Sequence, residues 1–268
     1  MSNLANFYHT IQGQGEKKLV FLHGLMGYGS NWRTLAKSFE GDFQILLYDQ
    51  RGHGKSMKPA SGYHPEDYAQ DLFNILQELG WNEIYLVGHS MGGRNALNFS
   101  FRFPQCVKKL VIEDIGPESD PAGEKGIRDM LDVIPVPFAS KQDARDFFSN
   151  QFAGLYRGSE NPRTLGLFLY ANLIETQKGF DWRFSLDGIL QSVHHGRTSD
   201  RWHELEALKM PVLLIRGERS RDLSAAVFQR MLASNSHIRG VEIPGAGHWV
   251  HADKPEAVVE ELRKFFAE

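Results

Sequence analysis

Cysteine is almost absent from this sequence. The one cysteine, Cys106, excludes a disulfide within the chain and a zinc site built from several cysteines. Since Cys106 has no special partner nearby in the sequence, we expect a small packed side chain rather than a nucleophile. A chain without disulfides is typical of a reducing compartment, and we expect a cytoplasmic protein.

Long apolar runs and an excess of one charge are missing as well. No apolar stretch approaches the length of a membrane span, and residues 1–14 lack the basic-then-apolar pattern of a secretory signal. The 30 lysines and arginines nearly balance the 33 aspartates and glutamates, without a basic run. We therefore expect no nucleic-acid partner and no membrane partner.

Short apolar segments alternate with helix-like segments through much of the chain. The apolar segments are 18–22, 44–48, 84–87, 110–112, 212–216 and 241–243. The helix-like segments are 31–39, 66–79, 94–103, 225–233 and 254–266, the last opening with Asp253 as an acidic N-cap. Near-continuous apolar strands joined by helices predict an α/β fold, with a mostly parallel central sheet and helices on both faces.

The alternation stops between residues 117 and 208, where no convincing strand pattern is present. We predict that 1–116 and 209–268 form an α/β core and that 117–208 form an inserted helical cap. The rings of this insertion either line an apolar acyl pocket or form the core of the cap, and the sequence leaves both open. They are Phe138, Phe147, Phe148, Phe152, Tyr156, Phe168, Tyr170, Trp182 and Phe184.

Residues 84–93 run from an apolar strand into Gly-His-Ser-Met-Gly and then into a helix. A serine hydroxyl is a poor nucleophile, so it must be held clear of the backbone where it meets a base and a substrate. A sharp strand-to-helix turn does this, and Gly88 and Gly92 let neighbouring backbones pass close by. We predict that Ser90 is the nucleophile; an idle serine in a glycine-rich turn is the alternative.

Such a serine also needs a base and donors for the oxyanion. His248 is the candidate base, because it lies in a glycine-rich loop between a strand and the last helix, at the sheet edge to which Ser90 points. His251 is the nearest competitor, but we expect it to support the turn before that helix. The backbone N–H groups of Leu25 and Met91 are the predicted oxyanion donors.

Four motifs together resemble the α/β-hydrolase superfamily. They are His-Gly-x-x-Gly at 23–27, Asp-x-Arg-Gly-His-Gly-x-Ser at 49–56, Gly-His-Ser-Met-Gly-Gly at 88–93 and Gly-His at 247–248. Glu-Asp-Ile-Gly-Pro at 113–117 is similar to a branch of esterases and acyl-thioesterases that includes the YbfF-like and ABHD11-like groups. The resemblance implies a serine hydrolase with a lid from the insertion, without a cofactor or metal.

The sequence offers several candidates for the acid that orients the base. Most α/β-hydrolases carry it after the strand that follows the lid, but here the usual position is Ser220, and a serine cannot stabilise an imidazolium as a carboxylate does. The YbfF-like resemblance implies Asp114 as the acid, at the carboxyl edge of the sheet. Asp222, which we expect to cap a helix, stays an alternative, as do Glu113 and Asp187.

The expected activity is cleavage of carboxylic esters or acyl thioesters through an acyl-enzyme on Ser90. A carbon–carbon bond hydrolase, a MenH-like lyase and a non-catalytic ligand-binding receptor are the alternatives on this fold. We expect a small ester or acyl-CoA-like substrate and a monomer or small homo-oligomer. His53 and Arg51 are expected to brace a turn, and the adjacent His194 and His195 do not share a face that could bind a metal.

Overall fold

The computed structural model of the protein describes residues 4–158 and 161–268. Within them the strands are β1 His9–Gln12, β2 Lys17–Leu22, β3 Phe43–Tyr48, β4 Ile84–His89, β5 Val107–Glu113, β6 Leu173–Thr176, β7 Gly179–Trp182, β8 Val212–Gly217 and β9 Ile238–Ile243. The helices are α1 Arg33–Ala36, α2 Pro65–Leu79, α3 Met91–Arg102, α4 Pro121–Asp132, α5 Lys141–Asn150, α6 Phe152–Leu155, α7 Pro162–Ala171, α8 Leu186–Arg197, α9 Trp202–Glu206, α10 Ala225–Ser234, α11 Val250–Asp253 and α12 Pro255–Ala267.

Seven strands form one sheet in the order β1-β3-β2-β4-β5-β8-β9. Strand β1 runs antiparallel to β3, and all the other neighbours are parallel. The predicted α/β fold with a mostly parallel sheet is confirmed, and the six predicted apolar segments lie within its six parallel strands. Parallel strands end at the same edge, so the loops after β2, β4, β5, β8 and β9 meet there.

Apolar side chains cover both faces of this sheet. In β4, Ile84 and Leu86 pack toward α2, α3 and α10, whereas Tyr85 and Val87 pack toward α1 and α12. Each buried aliphatic side chain stabilises the fold by roughly 1.5–3 kcal/mol. Cys106 is buried in the first of these layers, as expected of a packed side chain. Because the strands are buried on both faces, most of their residues are apolar, and each strand appears in the sequence as a continuous apolar run.

The segment 117–208 contains α4 to α9, and it also contains a hairpin. The expectation of no strand there was wrong, because β6 and β7 pair antiparallel in the register Leu173 to Trp182 and Thr176 to Gly179. Each strand has only four residues, and β6 carries no fully buried side chain. A half-exposed strand this short leaves no apolar run in the sequence.

Most aromatic side chains of this segment form its own hydrophobic core. That cluster contains Phe138, Phe147, Phe148, Phe152, Trp182 and Phe184, together with aliphatic side chains of α4, α7 and α8. Short helices that do not lie on the sheet must bury their apolar faces against one another, which requires large side chains. For these six rings, the structure therefore agrees with the cap-core alternative.

Three local expectations need correction. Residues 31–39 form 3₁₀ turns around the short helix α1 rather than one helix. Lys254, and not Asp253, occupies the N-cap of α12, and the Asp253 carboxylate accepts a hydrogen bond from the Gly247 N–H at 2.8 Å instead. Asp222 caps no helix, since the Ser224 side chain caps α10.

In the described ranges, no helix has the length and apolar character needed to cross a bilayer.

Candidate active site

Ser90 lies at the sharp turn between β4 and α3. Its backbone has φ 55° and ψ −122°, a conformation that a non-glycine residue rarely adopts. A Cβ at Gly88 would lie 2.3 Å from the Gly92 carbonyl oxygen, and one at Gly92 would lie 2.4 Å from that of Leu22. Only glycine fits at both positions, so the two glycines permit the turn that raises Ser90 above the sheet edge.

His248 lies in the loop between β9 and α11 and reaches two other predicted residues. Its Nε2 is 3.0 Å from Ser90 Oγ, and its Nδ1 is 2.8 Å from Asp114 Oδ2. These pairs are 158 and 134 residues apart in the chain. When the histidine is neutral, Nδ1–H donates to the carboxylate and Nε2 accepts from the serine hydroxyl, which is the arrangement a general base requires.

Asp114 is fully buried and has the positive φ of 55° just after β5. Its Oδ1 accepts the Gly217 N–H at 2.9 Å, and its Oδ2 accepts the Ser220 hydroxyl in addition to His248. Burial raises the pKa of Asp114, while these three donors oppose that rise. Ser220, at the position usual for the acid, thus serves as a donor to a carboxylate from the neighbouring strand.

The other acids considered in the sequence lie in different surroundings. Asp222 Oδ2 is 3.5 Å from His248 Nδ1, farther than Asp114. Asp187 is exposed in the first turn of α8. Glu113 is fully buried beside Asp114, but its carboxylate points to another histidine. Of these carboxylates, Asp114 alone lies within hydrogen-bond distance of the candidate base.

That other histidine is His251, which was expected to support the turn before the last helix and lies in α11, directly before α12. Glu113 Oε1 accepts from His251 Nδ1 at 2.7 Å and from the His251 backbone N–H at 3.0 Å. The indole of Trp32 stacks on the imidazole with ring centroids 4.1 Å apart. Burial opposes ionisation of Glu113, yet His251 outweighs it and holds the pKa of that carboxyl below its usual value. The pair ties β5 to α11, next to the His248 loop.

His89, between Gly88 and the nucleophile, completes this cluster. Its Nε2–H donates to the His248 carbonyl oxygen at 2.9 Å. Burial lowers the pKa of His89 to about 3, so the ring is neutral. One nitrogen or carboxylate oxygen each of His89, Glu113 and His251 lies within 4.8 Å of the others. Their separation in sequence hid this cluster from motif reasoning.

The predicted oxyanion donors lie beside the nucleophile. Leu25 and Met91 line, together with Ser90, a small cavity of about 30 Å³. The loop that carries Leu25 is hydrogen-bonded to the loop after β3, because His23 Nε2 accepts the Gln50 N–H at 2.9 Å. Such a cavity holds only one or two water-sized groups.

A much larger cavity of about 940 Å³ opens over Ser90 and His248. The segment 117–208 contributes the apolar side chains of Ile127, Met130 and Leu165 to its wall, and charged side chains of both this segment and the core line it as well. Of the nine rings considered for an acyl pocket, Tyr156 alone lines this cavity. Phe168 lines a neighbouring cavity of about 380 Å³, with Trp32, Leu35 and Trp249. The large cavity is therefore bounded mainly by aliphatic and charged groups.

Two histidine-containing motifs lie outside this site. Arg51 forms a two-pronged ion pair with Asp71 of α2 at 2.5 and 2.6 Å, and His53 is buried with Nδ1 2.8 Å from the Arg51 carbonyl oxygen. These contacts hold the loop after β3. In α8, His195 stacks on His64 with ring centroids 3.6 Å apart.

Comparison with known proteins identifies the family of the chain. A family model described as the alpha/beta hydrolase fold matches residues 17–255. The chain belongs to the α/β-hydrolase family. It is 30% identical over 267 residues to the sn-1-specific diacylglycerol lipase ABHD11 of Mus musculus, covering 97% of this chain and 84% of that protein.

Further relatives are similar along nearly their whole length. Esterase YbfF of Escherichia coli (strain K12) is 29% identical over 258 residues, covering 96% of both chains. The solved structure of a marine microorganism esterase matches with a TM-score of 0.83 at 26% identity, covering 97% of this chain and 99% of that one. The resemblance to the YbfF-like and ABHD11-like branch is confirmed, and esterase and lipase relatives support a hydrolase activity.

Proposed function

We propose that the protein is a serine hydrolase that cleaves carboxylic esters or acyl thioesters through an acyl-enzyme on Ser90. The observation that carries this proposal is the continuous hydrogen-bond chain from Ser90 Oγ to His248 at 3.0 Å and from His248 to Asp114 at 2.8 Å. In this proposal His248 is the base and Asp114 the acid that orients it.

In the acylation step, Ser90 Oγ attacks the acyl carbonyl carbon while His248 Nε2 takes the hydroxyl proton. The carbonyl oxygen becomes negatively charged and is stabilised by the N–H groups of Leu25 and Met91. The tetrahedral intermediate then collapses, the bond from the acyl carbon to the leaving oxygen or sulfur breaks, and the leaving group receives the proton from His248.

Water completes the cycle in the deacylation step. His248, again neutral, takes a proton from a water molecule whose oxygen attacks the acyl carbon of the ester on Ser90. The second tetrahedral intermediate releases the carboxylic acid and returns the proton to the serine. Asp114 stays ionised throughout and stabilises the imidazolium, and its donors Gly217 and Ser220 favour that charge.

The segment 117–208 is proposed to be a cap that binds the acyl part of the substrate. This is supported by the apolar side chains of Ile127, Met130 and Leu165 on the wall of the large cavity that also contains Ser90 and His248. An apolar acyl chain would gain up to about 0.8 kcal/mol per buried methylene there. A cavity of about 940 Å³ has room for a small ester or acyl-thioester substrate.

Labelling with a fluorophosphonate probe tests the nucleophile directly. The wild type should be labelled and Ser90→Ala should not. Ser100→Ala is the matched control, because Ser100 is a buried serine of α3 whose hydroxyl bonds to the Ala96 carbonyl oxygen. A panel of p-nitrophenyl esters and acyl-CoA thioesters then separates esterase from thioesterase activity. Their acyl chains run from roughly two to twelve carbons, and each step adds two methylenes that the cavity can bury. Equal labelling of Ser90→Ala and the wild type would refute the proposal.

A further inference from the structure

A second carboxylate lies beside the candidate base. Asp222 Oδ2 is 3.5 Å from His248 Nδ1, the nitrogen that Asp114 Oδ2 approaches at 2.8 Å. The single hydrogen on Nδ1 is directed to the nearer acceptor, so Asp222 acts on the imidazole by its charge rather than by a hydrogen bond. The histidine therefore lies between two carboxylates, of which one orients it.

Ser220 contacts both the carboxylate of Asp114 and the backbone of Asp222. Its hydroxyl donates to Asp114 Oδ2, and its oxygen accepts the Asp222 N–H at 3.2 Å. The loop after β8 thus positions Asp222 through the same side chain that contacts the acid at β5.

Arg197, at the end of α8, brings a positive charge to Asp222 from the segment 117–208. Its guanidinium lies 3.6 Å from Asp222 Oδ1, and it also forms an ion pair with Asp120, the N-cap residue of α4. The Arg197 carbonyl oxygen accepts the Asp120 N–H at 2.9 Å. Arg197 is thus anchored within the cap segment, whereas Asp222 belongs to the core, so their contact spans the two.

We propose that Asp222 is an auxiliary carboxylate of this site and that Arg197 partly neutralises it, so that the charge around His248 depends on the position of the cap. This inference rests on the proposed function. Asp222 and Arg197 are positioning residues in it, because both act through His248. A cap that moves away takes Arg197 with it and leaves two unneutralised carboxylates beside the base.

The direction of the effect follows from the charged and titratable groups that face His248. They are Ser90 and His89 at β4, Asp114 after β5, Asp222 after β8 and Arg197 of α8. Tyr156 of the cap also faces Asp222.

Burial alone would lower the pKa of His248, but Asp222 and Asp114 outweigh it and raise the pKa to about 9, against the opposing charge of Arg197. The base must be neutral to accept the serine proton, so activity should rise with pH through the pKa of His248. Removal of Asp222 should lower that pKa, and removal of the Arg197 charge should raise it.

Titration of the His248 imidazole by NMR tests the inference without any substrate. We expect the pKa of His248 to fall by about one unit or more in Asp222→Asn, since an opposite charge at this range shifts a pKa by 1–3 units. Arg197→Gln should raise it and Arg197→Lys should restore it toward the wild type. His248→Gln identifies the resonance, and Arg128→Gln, which removes a cap arginine paired with Glu124, is the control.

The pH profile of kcat/KM with a hydrolysed ester gives the second measurement. The limb that rises with pH should move to lower pH in Asp222→Asn, and the loss of plateau kcat should be much smaller than in Asp114→Asn, which removes the orienting acid. The double variant with Asp222→Asn and Arg197→Gln should place this limb between those of Asp222→Asn and the wild type, because the Arg197 charge also opposes the protonation of His248 directly.

Two results would overturn the inference. One is an unchanged pKa of His248 in Asp222→Asn, and the other is a loss of plateau activity in this variant as large as in Asp114→Asn, which would make Asp222 the orienting acid. If no ester or thioester is hydrolysed while the NMR shifts occur as expected, the proposed function fails and the charge coupling stands.

Discussion

Glu113 and Asp114 leave the end of β5 side by side, and each contacts a different histidine. Asp114 turns through a positive φ toward His248, which also reaches Ser90 at 3.0 Å. Glu113 turns to His251, whose ring is stacked on Trp32. The two pairs have the same chemistry and nearly the same separation between nitrogen and oxygen, 2.8 and 2.7 Å.

Their surroundings differ, and this difference assigns them different proposed roles. The pair of Asp114 and His248 faces a nucleophile and a cavity of about 940 Å³. The pair of Glu113 and His251 joins two elements of the core, and Glu113 meets Ser90 only through the backbone, where its carbonyl oxygen accepts the Ser90 N–H at 3.0 Å. A carboxylate beside a histidine is therefore no sign of catalysis without a nucleophile within reach.

Removal of the nucleophile should have the largest effect. Ser90→Ala leaves both carboxylate–histidine pairs intact, and ester hydrolysis should fall by about a million-fold, the loss measured when a serine hydrolase loses its serine. The measurement is kcat on the best ester of the panel, with circular dichroism to verify folding. Turnover within about tenfold of the wild type would exclude the acyl-enzyme route.

Asp114→Asn breaks the first pair while it keeps the shape of the side chain. Turnover should fall by up to roughly ten-thousand-fold, because an amide favours the wrong tautomer of the histidine. Glu113→Gln is the matched variant of the second pair, and its kcat should stay within about tenfold of the wild type. The comparison fails if the two variants lose similar activity.

Glu113→Gln should instead reduce the stability of the fold. The buried carboxylate accepts two hydrogen bonds from His251, so we expect a loss of about 1–3 kcal/mol in the free energy of unfolding. Urea denaturation of the wild type and the variant at neutral pH measures this difference. An unchanged free energy of unfolding would show that the second pair does not hold α11 on β5.

The smallest expected effect is the pH dependence of the difference in unfolding free energy between the wild type and Glu113→Gln. The pKa of Glu113 in the folded state lies below its ordinary value of 4.5, so its ionised form stabilises the fold fully above that pH. As the pH falls through the lowered pKa, this contribution is lost. The gap in unfolding free energy between the wild type and Glu113→Gln should therefore narrow in acid, and a gap that widens there would contradict the lowered pKa.

The parallel sheet could be predicted because its pattern is local. A strand buried on both faces reads as a short apolar run, and all six parallel strands showed that run. The hairpin Leu173–Thr176 and Gly179–Trp182 within the segment 117–208 could not be predicted, since strands of four mostly half-exposed residues carry no such run. The nine aromatic rings of the insertion predicted an apolar interior. The sequence left open whether these rings line a substrate pocket or pack against one another.

The candidate site likewise has features that the sequence determined and contacts that only the tertiary structure decided. The sequence by itself determined the strained turn at Ser90, because Gly88 and Gly92 are the residues that such a turn requires. It also determined that His248 lies in the loop after the last strand of the sheet. Only the tertiary structure decided that Asp114 meets His248, that Glu113 meets His251 and that Asp222 lies 3.5 Å from the base. Those contacts join residues more than a hundred positions apart, or depend on a loop whose backbone angles no local pattern specifies, so their distances exist only once the sheet has assembled.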